Sequence, residues 1–153
     1  QNGVSSDEFN NPPASAEGEN FSLYISSTMY DEAREKRSDD HYSDPFEITG
    51  VWRGEGQSNN YLNVEVEHKK TCSDRFEVIW DGRVAESAPP QLYLMIRLAA
   101  WDCDDLDEFS TDTLSLDLYE ITDNLSLVKE AIFRVSNASS RQDINHDEPA
   151  SNR

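Results

Sequence analysis

Positive charge is scarce in this chain. Four lysines and nine arginines make 13 cations against 31 aspartates and glutamates, and 13 − 31 leaves −18 at neutral pH. A nucleic-acid binder needs a basic face to neutralise phosphates, and a polybasic membrane-surface protein needs clustered Lys and Arg. The composition excludes both. Long apolar runs are missing as well: none approaches the roughly 18–20 residues of a membrane-spanning helix. Only two cysteines occur, with no C-x-x-C motif and no metal-ligand spacing, so dithiol redox and zinc motifs are absent. There is no Gly-x-Ser-x-Gly nucleophile elbow. The nearest match to a phosphate loop, Gly54-Glu55-Gly56, is acidic and lacks a third glycine. No catalytic residue is expected, and no enzyme.

Large aliphatic and Phe side chains are also few. Leu 11, Ile 7, Val 8 and Phe 6 total 32 of 153, close to the roughly 20% below which chains stay disordered. The shortage is uneven, because 29 of the 32 fall within the 115 residues of 21–135. That distribution predicts a globular domain over 21–137, a flexible N-terminal arm over 1–20 and a flexible C-terminal tail over 138–153. A removed secretory leader ahead of Gln1 fits this organisation.

Period-two alternation runs through the middle and predicts half-buried strands. Phe21, Leu23, Ile25 and Met29 share one parity. Leu62, Val64 and Val66 alternate with Asn63, Glu65 and Glu67. The same rhythm recurs at Phe76–Trp80, Leu92–Leu98, Leu114–Leu118 and Ala131–Val135. With 46–53 the count is about seven strands, the number of an immunoglobulin-like antiparallel β-sandwich. Asp81-Gly82 and Ala88-Pro89-Pro90 supply turns. The segment 30–37 has an i,i+4 pair, Glu32 and Lys36, but no apolar stripe. It is expected as a charged surface loop with a helical turn, a short helix being the alternative. The fold class is all-β.

Cys72 and Cys103 stand at two strand ends. In a secreted sandwich such a pair forms a disulfide, and closing about 30 residues contributes roughly 3–4 kcal/mol. The alternative is two free thiols in the cytosol. The stretch around them, CSDRFEVIWDGRVAESAPPQLYLMIRLAAWDC followed by LSLDL, resembles a group of uncharacterised secreted bacterial β-sandwich proteins, often lipoproteins. These carry a Cys, a W-[DN]-G turn, E-S-x-P-P-Q and a second Cys; the matches here include Cys72, Trp80, Asp81, Gly82, Glu86, Ser87, Pro89, Pro90, Gln91 and Cys103. The resemblance covers roughly a third of the chain. It implies export, a Cys72–Cys103 bond, and a secreted or cell-surface location that could be periplasmic or attached to an outer membrane. It carries over no catalytic role. The chain departs from that group where Ser73-Asp74-Arg75 replaces a histidine and Ala99-Ala100-Trp101-Asp102 replaces an H-x-x-N-G-D loop.

Three constellations remain. Asp102, Asp104, Asp105, Asp107 and Glu108 pack five carboxylates into seven residues, and like charges this close repel unless a cation neutralises them. Calcium would suit a flexible oxygen-rich loop; a solvated acidic turn is the plainer reading, and no EF-hand glycine is present. Trp52, Tyr93 and Trp101 are candidate exposed aromatics that could stack on sugars or anchor partners, although Trp52 also fits the core. Tyr93 and Trp101 share parity with Met95, which could bury a second sheet face against a neighbouring subunit. His68 is expected at a surface or edge. Asn20, Asn124 and Asn137 begin glycosylation sequons. The expected role is a non-catalytic extracellular structural or binding domain, its partners being itself or other extracellular proteins. An assembly subunit leads, and a carbohydrate-binding module is the alternative. Among 31 acidic residues, some pair at glycosidase spacing arises by chance, so paired carboxylates carry no weight.

Overall fold

The computed structural model describes residues 14–18, 20–39, 42–54, 60–69, 76–85, 87, 89–98 and 108–146. Among them, six strands lie side by side in the order β1 (Ala16–Glu17), β2 (Phe21–Ile25), β5 (Phe76–Trp80), β6 (Gln91–Leu98), β8 (Ile132–Asn137) and β9 (Asp143–His146). Three more, β3 (Phe46–Arg53), β4 (Tyr61–Lys69) and β7 (Phe109–Asp117), form a second sheet. Alternation explains why the sheets meet. Leu62, Val64 and Val66 of β4 have no exposed surface, nor do Leu114 and Leu116 of β7. They pack on Phe76, Val78, Leu94, Ile96, Phe133 and Val135 from the larger sheet. Each such side chain contributes roughly 1.5–3 kcal/mol on burial. The protein is an all-β sandwich.

Two ladders correct the antiparallel, immunoglobulin-like order expected from the sequence. β2 runs parallel to β5, and β6 runs parallel to β8. A parallel pair needs a long crossover, and each crossover here visits the other sheet: β3 and β4 lie between β2 and β5, and β7 lies between β6 and β8. Among the described residues the count is nine strands rather than seven, because both ends of the domain extend into what reads as arm and tail. β1 pairs with β2, and β9 pairs with β8.

The segment expected as a charged loop is the helix α1 (Ser27–Lys36). Ser26 caps it, its extended backbone (φ −159°) letting Oγ accept from the Met29 N–H at 3.1 Å. Arg34 and Lys36 occupy the last turn, where the helix dipole favours cations. The buried face is short: Met29, Tyr30 and Ala33 settle on Ile79 and Met95, with Ala138 completing the cluster. The partner for the Met95 face is therefore this chain's own helix rather than a neighbouring subunit. Met29 belongs to that helix and not to the strand before it. Two short helices follow β7, α2 (Leu118–Thr122) and α3 (Leu125–Glu130), capped by the side chains of Asp117 and Asn124.

Side chains seam the two sheets together at the β3 edge. Gln142 makes both contacts with Ile48 that a strand residue would, accepting from its N–H at 2.9 Å and donating to its carbonyl at 2.8 Å. The Asn137 amide donates to the Phe46 carbonyl at 2.7 Å. A row of open backbone groups is thereby blocked. Asn137 has no exposed surface, so its sequon is inaccessible in the folded protein.

Candidate functional site

α1 covers the outer face of the six-stranded sheet over β5 and β6 only. Beyond it the outward residues of β6, β8 and β9 stand in cross-strand rows. Tyr93 is in register with Arg134 and Arg134 with Asn145; Met95 is in register with Ser136 and Ser136 with Asp143. These rows form the floor of a groove of about 640 Å³. Its wall is the helix and its C-cap: Tyr30 and Arg34 sit at i and i+4 on one helical face, and Arg37 is the capping residue that follows. Asp81, at the turn after β5, closes one end.

The groove inverts the electrostatics of the molecule. Three arginines and two aspartates line it, so 3 − 2 gives +1 in a chain of −18. Their roles differ. Arg37 is committed to the fold: Nε donates to the carbonyls of Asn137 (3.0 Å) and Ser140 (2.7 Å), and Nη2 to the Gln142 carbonyl (2.7 Å) and Asp143 Oδ1 (2.8 Å). Burial alone would raise the Asp143 pKa; the Ser136 hydroxyl and the Arg37 guanidinium outweigh it and hold the carboxyl below its ordinary value. Arg134 is oriented but not consumed. Its Nε donates to Gln91 Oε1 and its guanidinium carbon lies 6.0 Å from the Tyr93 ring centre, while neither Nη group makes a hydrogen bond among the described residues. Arg34 is exposed and has no ion-pair partner among the described residues. Tyr30 is buried, and its hydroxyl has no hydrogen-bond partner among the described residues. Desolvation, assisted by the nearby Asp81 charge, pushes its pKa up to about 12, so it stays a neutral donor.

The structure separates the aromatics read from the sequence. Tyr93 is 37% exposed and lines the groove. Trp52 lies on the far side of the sandwich. A β-bulge between Ile48 and Gly50 inserts Thr49 and reverses the parity of β3. Val51 packs against the core and Arg53 is buried, while Trp52 turns outward over Gly50. Arg53 donates to the Val128 carbonyl, sits 5.1 Å from the Phe133 ring centre, and has its pKa lowered to about 10 by burial. Trp101, Cys72, Cys103, Asp102, Asp104, Asp105 and Asp107 lie outside the described residues; Glu108 is exposed. Among the described residues, no group of three or more His, Cys, Asp or Glu is arranged to hold a metal ion.

His68 corrects the expectation of a surface residue, being 1% exposed. It continues the inward parity of Leu62, Val64 and Val66, and its ring is held by polar neighbours: Nε2 lies 2.7 Å from Asp112 Oδ2 and Nδ1 2.9 Å from the Lys69 carbonyl oxygen. Arg34, Arg134 and Tyr30 were the groove residues that sequence reasoning missed. The 30/34 spacing was the available signal, usable only once that segment is helical. No helix among the described residues is long and apolar enough to cross a membrane. No family model, no curated protein and no solved structure matches the chain.

Proposed function

We propose that this chain is a non-catalytic binding domain, exported and displayed at the cell surface or released outside it, and that the groove beside α1 takes a saccharide. The observation that carries this reading is Tyr93, an exposed ring on the floor of a groove whose rim is polar. Aromatic faces stack on sugar rings, and amide, carboxylate and guanidinium groups such as Asn145, Asp81 and Arg134 suit ring hydroxyls. Both Tyr93 and Arg134 stand on paired strands whose inner face is packed on the core, which keeps them in place without a ligand. A glycan array probed with the intact chain should give hits that Tyr93→Ala removes. An array with no hit, or hits that survive the substitution, overturns the saccharide reading.

A second reading, an extracellular assembly subunit, has its own support in β7. This nine-residue strand is paired with β4 on one side. On the other side, among the described residues, the Thr113 carbonyl accepts from Asn20 Nδ2 at 3.3 Å, and Phe109 is 60% exposed. An extended arm of a neighbouring copy could add there by backbone hydrogen bonding. Sedimentation should then show concentration-dependent growth that Thr113→Pro abolishes; a monomer at every concentration removes this reading.

Export draws on the resemblance to secreted bacterial lipoproteins and on the cysteine positions. Phe76 and Leu98 are direct partners across β5 and β6, so the start of β5, four residues after Cys72, and the end of β6, five residues before Cys103, lie at the same end of the sheet.

A further inference from the structure

From the groove's charge and its uncommitted donors, we infer that its saccharide is an acidic one: a sugar ring carrying a single carboxylate, held by Arg134 and Arg34 while the ring lies against Tyr93. The inference rests on the saccharide reading and adds the charge.

Arg37 and Asp143 satisfy each other at 2.8 Å, which removes one cation and one anion from the lining. Asp81 keeps one oxygen engaged by the Arg83 N–H at 2.8 Å. Arg34 and Arg134 are left with guanidinium groups that no carboxylate among the described residues meets. In a chain with 31 acidic side chains, two arginines facing one cavity without an acidic partner among the described residues are an unusual placement. The Nη pair of Arg134 offers the forked donor geometry that fits a planar carboxylate at two points. Its Nε bond to Gln91 and its position beside Tyr93 fix the orientation of that fork. The Tyr30 hydroxyl adds a neutral donor without adding charge.

The magnitude of the charge selects among anions. A lining of +1 is neutralised by one carboxylate, whereas a phosphate ester brings about −1.5 to −2 at neutral pH and would leave surplus negative charge in a molecule already at −18. The ring is needed too, because the groove of about 640 Å³ is far larger than a carboxylate and its floor presents the exposed Tyr93.

Calorimetric titration of the whole chain at physiological ionic strength tests this with glucuronate and glucose, which differ in a carboxylate for a hydroxymethyl group, and with acetate, which lacks the ring. Glucuronate should bind at least about ten-fold more tightly than either, the scale of a charge-assisted forked contact. Arg134→Gln should reduce the glucuronate affinity to that of glucose without moving the thermal midpoint; Arg83→Gln, outside the groove, should leave it unchanged. Glucose binding as tightly as glucuronate, with loss on Tyr93→Ala, would overturn the acidic inference and leave the saccharide reading standing. Acetate matching glucuronate, or Arg134→Gln leaving the affinity intact, would overturn it equally. Binding by none of the three overturns it as well, and the glycan array then decides separately whether any saccharide is bound.

Discussion

Arg37, Arg53 and Arg134 show how context assigns three roles to one residue type. Arg37 joins the end of α1 to the β8–β9 turn through three carbonyls and one carboxylate. Its removal strands acceptors that are partly buried, and Arg37→Ala should cost about 2–4 kcal/mol, read from the urea midpoint. Asp143, held below its ordinary pKa, contributes stability that is present above about pH 4 and fades as pH falls through its lowered folded value. Arg37→Ala should therefore also flatten the acid limb of the stability profile; an unchanged limb would dissociate the pair from acid unfolding. On the alkaline side the sign reverses. Tyr30 and Tyr42 both have pKa values raised to about 12, chiefly by burial, so the unfolded chain loses those protons first. Stability should fall between about pH 10 and 12, and ultraviolet titration should find Tyr30 and Tyr42 resisting ionisation until the helix layer opens.

Among elements, α1 is the one whose existence depends on a single polar contact and a small buried face. Ser26→Ala removes the acceptor for the Met29 N–H and should destabilise the protein by about 1 kcal/mol. Hydrogen exchange should locate the loss in α1 before the sheets; uniform loosening would mean that the helix is not an independent layer. The helix was hard to see in the sequence because its apolar contribution is Met29, Tyr30 and Ala33, too few for a clear stripe, and because it buries against a sheet face that only exists after β5 and β6 pair. The opposite holds for β4, whose alternation is unbroken and whose burial follows it residue by residue. At β3 the alternation misleads. Phe46, Ile48, Gly50 and Trp52 share parity in sequence, but the bulge at Thr49 shifts the second half by one, and a shift of one exchanges faces.

For the molecule as a whole, the second sheet buries the inner face of the larger sheet and the helix buries its outer face over β5 and β6, which a chain with this little aliphatic content achieves by concentrating it. A disulfide between Cys72 and Cys103 would add roughly 3–4 kcal/mol by restricting the unfolded chain. Intact-mass measurement of native material should find it two hydrogens lighter than the reduced chain, and two free thiols would remove the case for an oxidising compartment.

The amino-acid order by itself determined the all-β class and most strand positions, since side-chain alternation is a local property. Only the tertiary structure decided that β2–β5 and β6–β8 are parallel, that Tyr93 and Trp52 lie on opposite sides, and that arginines from α1 and β8 share a groove. Each of those depends on which distant segments become neighbours, and pairing partners are not written in the periodicity of either strand alone.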